Sequence, residues 1–369
     1  MQFGRLQLGG KLDRYIGSLF VGAYATSLLL VVGLAVIMDV ASNLNYFQPW
    51  KNGESASTAL IVNYYALNVP FLYLQVAPFV TASAALFTVS KLVKHNELVS
   101  GLNAGLSTQR ILLPLFAGAA CAAVFMFGVR ETATAALGDK RDALHELLEN
   151  QRTDRSFKSV WFRDIVGNII RFDVFRPAQP GQEADEGDGF EVAVQRGPTV
   201  SVVSAAHATW TGSDWRLDEG MLREETGDTS RQRPVAALGD VLRFTPRDVL
   251  LAIKGFERPL ELSFTEIGEL LRRDPDNREY QTLLQYNITF PLANLVLLLV
   301  ALPFLVGRER GKGLEGLVIA SLMCVLYFAG DFVSRSFGME GSLTPLLATW
   351  LPVLFFGSLG AVLFEGLRT

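Results

Sequence analysis

Apolar and polar positions in this chain separate into long blocks instead of alternating at helical or strand spacing. Tyr15 to Met38 reads "YIGSLFVGAYATSLLLVVGLAVIM" and carries no charge. A membrane-crossing helix needs about 20 mostly apolar residues, whereas the core of a signal peptide runs about 7–15, so the block predicts a retained first span. Ile61–Ser90 and Ile111–Val129 predict a second and a third, and Pro70 and Pro78 predict a tilt or kink in the second. The apolar signal stops from Arg130 to Thr282. It resumes in Leu283–Val306, Leu314–Val333 and Leu343–Phe364. The pattern therefore predicts a polytopic α-helical membrane protein, with six transmembrane helices in a 3+3 arrangement around a large insert.

Within the insert the period changes. "RETATAALGDKRDALHELLENQR" is a polar helical pattern that leads away from the third span. "NIIRFDVF", "FEVAVQR", "TVSVVSAAHATW" and "DVLRFTP" are short β-rich runs, separated by turn-like stretches such as "QPGQEADEGDG" and "TGSDW". Several strands without intervening helices predict an all-β, jelly-roll-like domain. "SFTEIGELLRRDPDNREYQTLLQYN" then returns the chain to the fourth span, with Ser263 and Glu266 spaced as a capping box. The expected units are 1–130 with a polar helix at about 91–110, the β domain with helical stems at 131–282, and 283–369.

Lys and Arg in the short loops orient the spans. Arg5, Lys11 and Arg14 precede span one; Lys91, Lys94 and Arg110 follow span two; Arg308, Arg310 and Lys312 follow span four. All fall on one side, predicted cytoplasmic together with both termini. The β domain is then external, which in a cell with two membranes means periplasmic.

Composition agrees: half of the 369 residues are hydrophobic and 19% are charged, against about 25% in ordinary soluble domains. Without a basic face the chain has no signature of nucleic-acid binding. Cys121 and Cys324 lie in apolar runs, so they predict neither a disulfide framework nor a zinc site.

No catalytic or metal constellation stands out, and no cofactor is expected in this chain. "GRERGKG" (Gly307–Gly313) lacks both the spacing and the final Ser or Thr of a phosphate-binding loop. "HELLE" has Glu149 where a zinc-protease helix needs its second histidine, and Ser107 in "GLSTQ" lacks the glycine and setting of a nucleophile elbow. Asp39 and Asp331, near the expected external ends of spans one and five, read either as solvated helix ends or as part of a substrate path.

One polar segment remains, "HNELVSGLNAGLSTQRILLP" between spans two and three. Asn96, Glu97 and Ser100 share a face of a short helix, and Leu98, Leu102 and Leu106 are placed to pack back on the bundle. Gly101 and Gly105 weaken a free helix and permit close approach by another chain. The segment is either a coupling surface offered to an ATPase or an ordinary amphipathic connector.

The chain resembles the LptF/LptG (YjgP/YjgQ) permease family of the lipopolysaccharide-exporting ABC transporter. "LDRYIGSLF", "VSKLVKHNELVSGLNAGLSTQRILLPL", "VWFRD", "SAAHATWTGSDWRLDEG", "FPLANLVLLLVALPFLVGRERGKG" and "PLLATWLPVLFFGSLG" carry the likeness in order and spacing. "GLAVIMDVASNL" at the end of span one is slightly more like the G member. The resemblance implies a heterodimer with a second permease of this type on a cytoplasmic LptB-like ATPase dimer, which alone would bind ATP and magnesium. It implies that the β domain passes lipopolysaccharide, or a related glycolipid, to LptC- and LptA-like β-jelly-roll proteins. It places Glu97 as the acidic residue facing an ATPase arginine, and spans one and five as gates, beside which Asp39 and Asp331 lie. The chain departs from the family in two places. No Lys or Arg stands between Arg14 and Lys51, leaving Lys51, Arg130 and Arg335 as the outer positive charges, and "RETATAAL" lacks the proline usual after span three. The competing expectation is a membrane-anchored receptor or scaffold whose β domain binds a protein without transport.

Overall fold

The computed structural model describes residues 10–48, 56–150, 155–178, 184–196, 199–226, 229–238, 244–306 and 313–367. The chain divides into two compact units. The first comprises residues 1–44, 65–137 and 278–369, and the second 45–64 and 138–277. The second unit thus takes in the connection after the first span, a partnership that hydropathy does not reveal.

Six helices are long and apolar enough to cross a membrane. They belong to α1 (Lys11–Ser42), α2 (Thr58–Lys94), α4 (Thr108–Asn150), α7 (Arg278–Val306), α8 (Gly313–Met339) and α9 (Pro345–Glu365), while α3 (Glu97–Asn103) is the short polar helix. Most overrun their apolar windows, because helix-forming polar residues flank the spans. α2 stays helical through Pro70 and Pro78, as membrane helices can where neighbouring groups re-satisfy the freed backbone. α2 and α7 are central: 61% and 67% of their most apolar stretches are buried, against 17% for α1 and 28% for α8 and α9. Ile16, Phe20, Leu98, Leu112, Leu297 and Tyr327 meet in the larger core cluster of this unit, and Val32, Tyr73, Met126, Tyr286 and Phe290 in a smaller one. Among buried polar groups, Asn294 accepts from the Thr81 hydroxyl at 2.6 Å and donates to the Pro291 carbonyl at 2.8 Å. The first of these joins α2 to α7, as interhelical hydrogen bonds do where lipid removes the hydrophobic drive for association.

The second unit holds an antiparallel sheet of seven strands: β1 (Phe157–Arg163), β2 (Ile169–Arg176), β3 (Glu186–Arg196), β4 (Thr199–Trp210), β5 (Trp215–Asp218), β6 (Met221–Thr226) and β7 (Thr229–Pro234). The order is β1-β2-β3-β4-β6-β7, with β5 paired to the far half of β4. On β2 Ile170 and Phe172 alternate inward and, after a break in the period, Phe175 follows; all three are fully buried. They pack with Phe190, Val192 and Trp215, whose indole N–H donates to the Phe244 carbonyl at 3.1 Å.

Two local readings give way here. β3 begins at Glu186, inside the acidic stretch expected as a turn; Gly187 suits a strand there because a Cβ would strike the Phe172 ring. "DVLRFTP", expected as a strand, leads into helix α5 (Pro246–Glu257); its first four residues, 240–243, lie outside the described residues. Thr245 and Asp248 form a capping box and Pro246 pre-sets the first helical residue, so local capping overrides the β-rich composition. α5 lays Val249, Ala252 and Ile253 on the sheet core. At α6 (Phe264–Arg273) the expected box is formed: the Glu266 N–H donates to Ser263 Oγ at 3.1 Å, and the Ser263 N–H to the Glu266 carboxylate at 2.9 Å.

Candidate functional site

The hairpin between α2 and α4 is built by its local sequence. Asn96 turns the chain in the left-handed region (φ 59°), which Asn tolerates better than most residues. The Ser100 hydroxyl donates back to the Asn96 carbonyl at 2.9 Å. Leu98 is buried in the bundle core, and Leu102 and Leu106 pack against it. Asn96 and Ser100 are exposed on the other side and Glu97 is half-buried. A Cβ on Gly101 would fall 2.9 Å from Ile111 Cδ1, so the close approach this glycine permits is to the chain's own α4; Gly105 (φ +83°) serves the turn into α4.

Two contacts join this hairpin to the start of α1. The Tyr15 hydroxyl lies 2.9 and 3.0 Å from the two oxygens of the Glu97 carboxylate. Arg110 donates to both oxygens of Asp13, at 2.5 and 2.8 Å, and the Gly10 N–H donates to the same carboxylate at 3.1 Å. Asp13 is 9% exposed. Sequence reasoning passed over Asp13 and Tyr15. One signal was available, since Asp13 is the sole acid among the basic residues preceding span one.

Far along the same spans the unit gathers buried charge. Arg130 on α4, and Asp331 and Arg335 one turn apart on α8, are 5%, 5% and 9% exposed; of the two readings open for Asp331, a solvated helix end does not fit this burial. Arg130 donates to the Asn287 side-chain Oδ1 on α7 and lies 6.0 Å from the Phe290 ring centre. Arg335 lies over Tyr286, whose ring stacks on Phe290 with centroids 4.9 Å apart. Two guanidinium groups thus meet an aromatic pair, with the buried Asp331 carboxylate one turn from Arg335. Buried ionisable groups within spans are costly and mark functional pathways. Asp39 stands apart from these contacts. It is half-buried near the end of α1 and its buried Oδ2 has no hydrogen-bond partner. Lys51 lies outside the described residues.

The weaker sequence motifs acquire structural roles. His145 Nδ1 meets the Tyr46 hydroxyl at 2.9 Å and its Nε2 lies 3.3 Å from Glu149, so both ring nitrogens are engaged. Ser107 Oγ accepts the Arg110 N–H at the start of α4. Of "GRERGKG", only Gly313 is among the described residues. Among the described residues, no group of three or more His, Cys, Asp or Glu is arranged to hold a metal.

Compared with known proteins, the chain matches the family model described as lipopolysaccharide export system permease LptF/LptG over residues 14–365, nearly its whole length. No curated protein matches it.

Proposed function

Since the chain belongs to the LptF/LptG family and is a multi-pass inner-membrane permease of lipopolysaccharide export, we propose that it is one half of an ATP-driven lipid extractor. Its α3 would dock on an LptB-like ATPase dimer, which binds ATP and magnesium, while a second LptF/LptG-type permease completes the cavity. Both termini and α3 are then cytoplasmic and the β domain periplasmic, where it hands lipid to LptC- and LptA-like partners. The observation that carries this reading is the construction of α3. Leu98 anchors it in the bundle while Asn96 and Ser100 stay exposed and Glu97 is held at the edge, which suits a rigid surface for an arginine-bearing partner.

Arg130, Arg335 and Asp331 form the proposed headgroup end of the lipid path. Guanidinium forks suit phosphate geometry, and the neighbouring rings suit the sugar and acyl parts. Asp39, with its unsatisfied oxygen, is the corresponding candidate on α1.

Purification of the tagged chain from native membranes in mild detergent tests the assembly. An ABC ATPase and a second six-span permease should accompany it, with lipopolysaccharide bound. Recovery of the chain alone, or only with periplasmic proteins, would overturn the transporter reading in favour of a receptor.

A further inference from the structure

α1 is distinguished from its neighbours by how little of it is covered. Val21, Leu29, Leu34, Ile37 and Met38 are all exposed. Further along it is held by the Tyr24–Tyr73 hydroxyl contact at 3.0 Å and by Val32 in the smaller core cluster, but its closest anchoring lies in its first three turns. Asp13, Ile16 and Phe20 are buried there, and beyond Phe20 only Ser27 and Val32 are buried within α1. Phe20 fills a notch left by Gly118 on α4, where a Cβ would fall 2.5 Å from Phe20 Cε1. Below that notch come the two polar contacts, and both partners belong to the α3 hairpin: Glu97 opens α3 and Arg110 lies in the first turn of α4.

We propose that the Tyr15–Glu97 and Asp13–Arg110 contacts form a clasp that transmits motion of α3 to α1, with Tyr15, Asp13 and Arg110 as positioning residues of the transport cycle. The proposal rests on the reading of α3 as the ATPase-contacting surface. At 1.5 Å rise per residue, the arm from Phe20 to Asp13 is roughly 10 Å and the arm from Phe20 to Ser42 roughly 33 Å. A rigid helix rocking in the Gly118 notch therefore magnifies a displacement of its root about threefold at its far end. On its exposed face α1 meets no other helix of this chain's core among the described residues, so the swing has to displace only the Tyr24–Tyr73 contact and the Val32 packing on the other face. Tyr15 also fixes the position of Glu97 without consuming it. A carboxylate has about four lone-pair sites, so one hydroxyl leaves room for an arginine fork from the partner.

The test uses the complete complex in proteoliposomes, with Tyr15→Phe, Asp13→Arg, Arg110→Asp and the Asp13→Arg/Arg110→Asp double swap. Three quantities are read: ATP hydrolysis, lipopolysaccharide extracted per ATP, and the nucleotide-dependent distance change between spin labels at Met38→Cys on α1 and Leu347→Cys on α9, in a background without the exposed Cys121. Tyr15→Phe should retain hydrolysis but lower lipid per ATP by about threefold to tenfold, as expected for loss of a hydrogen bond to a charged group at a partly exposed site. Each charge variant should do the same more strongly, the label displacement should shrink in parallel, and the double swap should recover both. Tyr15→Phe keeps the ring and disturbs no buried charge, so it decides the matter if a single charge variant fails to assemble. Wild-type extraction per ATP in assembled Tyr15→Phe and single charge variants, or a double swap no better than the singles, would overturn the clasp. A wild-type complex that hydrolyses ATP without extracting lipopolysaccharide would overturn the transport reading, and the clasp with it.

Discussion

The guanidinium carbon of Arg335 lies 4.3 Å from the centre of the Tyr286 ring, and both side chains are buried. In a span the face of an aromatic ring replaces part of the hydration that a cation has lost, an interaction worth about 2 kcal/mol when desolvated. Replacing Tyr286 by Leu removes that face and opens space in the smaller core cluster. Its cost is expected to be about 3–5 kcal/mol, while Tyr286→Phe keeps the ring and should cost less than half as much. Thermal unfolding of the full chain in detergent checks this; equal midpoints for the two variants would refute the cation–ring role.

Glu97→Arg is expected to separate coupling from folding. The native carboxylate meets an exposed tyrosine hydroxyl, a bond worth about 1 kcal/mol or less, and the unfolding midpoint should barely move. Opposed to an arginine on the ATPase, the new charge should reduce both complex recovery and lipid export. Unchanged assembly and export would remove Glu97 from the interface.

Asp164 holds the β1–β2 turn from within. Its Oδ1 accepts the N–H groups of Val166 and Asn168 at 2.9 and 2.8 Å, and its Oδ2 accepts the Asn168 side-chain N–H at 2.7 Å. Asp164 is 2% exposed, so Asp164→Ala strands buried donors and should cost about 2–3 kcal/mol. Asp164→Asn keeps an acceptor for the two backbone donors and should cost less. Amide exchange at Val166 and Asn168 in the full-length protein reports it: fast exchange in the alanine variant is the expected result, and protection equal to wild type would contradict it.

His145 makes the second unit sensitive to acid. Burial holds its imidazole below the ordinary histidine range, and the nearby Arg258 guanidinium adds to the effect. The folded state thus favours the neutral ring, while the unfolded chain takes up a proton near pH 6.5. Stability contributed by this group is complete above about pH 6.5 and declines as pH falls from there toward the lowered folded value. Unfolding midpoints at pH 7.5 and 5.5 should therefore differ, and His145→Asn should flatten the difference. An unaltered pH slope in that variant would show that other groups set it.

The spans were legible because lipid imposes a length and a composition on them, and every one of the six recurs as a helix. The inward row Leu98, Leu102 and Leu106 was legible for a related reason, since one face of α3 must meet the bundle. The partners were not. Glu97 finds Tyr15 82 positions away and Arg110 finds Asp13 97 away, and no periodicity links residues so distant. Asp331 was ambiguous in the sequence for the opposite reason. Its place near a span end allowed a solvated reading, but packing buries it one turn from Arg335, which lies over Tyr286 of α7. At α5, composition favoured a strand and the Thr245–Asp248 box settled on a helix.

The distance between the clasp partners also orders events at the ribosome. Asp13 and Tyr15 emerge and reach the bilayer before Glu97 and Arg110 have been made. At roughly 5–20 residues per second of synthesis, a gap of 97 residues is about 5–20 s. During that interval the first helix precedes its partner, with Asp13 lacking the arginine that later binds both its oxygens. A chaperone or insertase that shelters nascent spans would meet this helix before the hairpin that closes on its root.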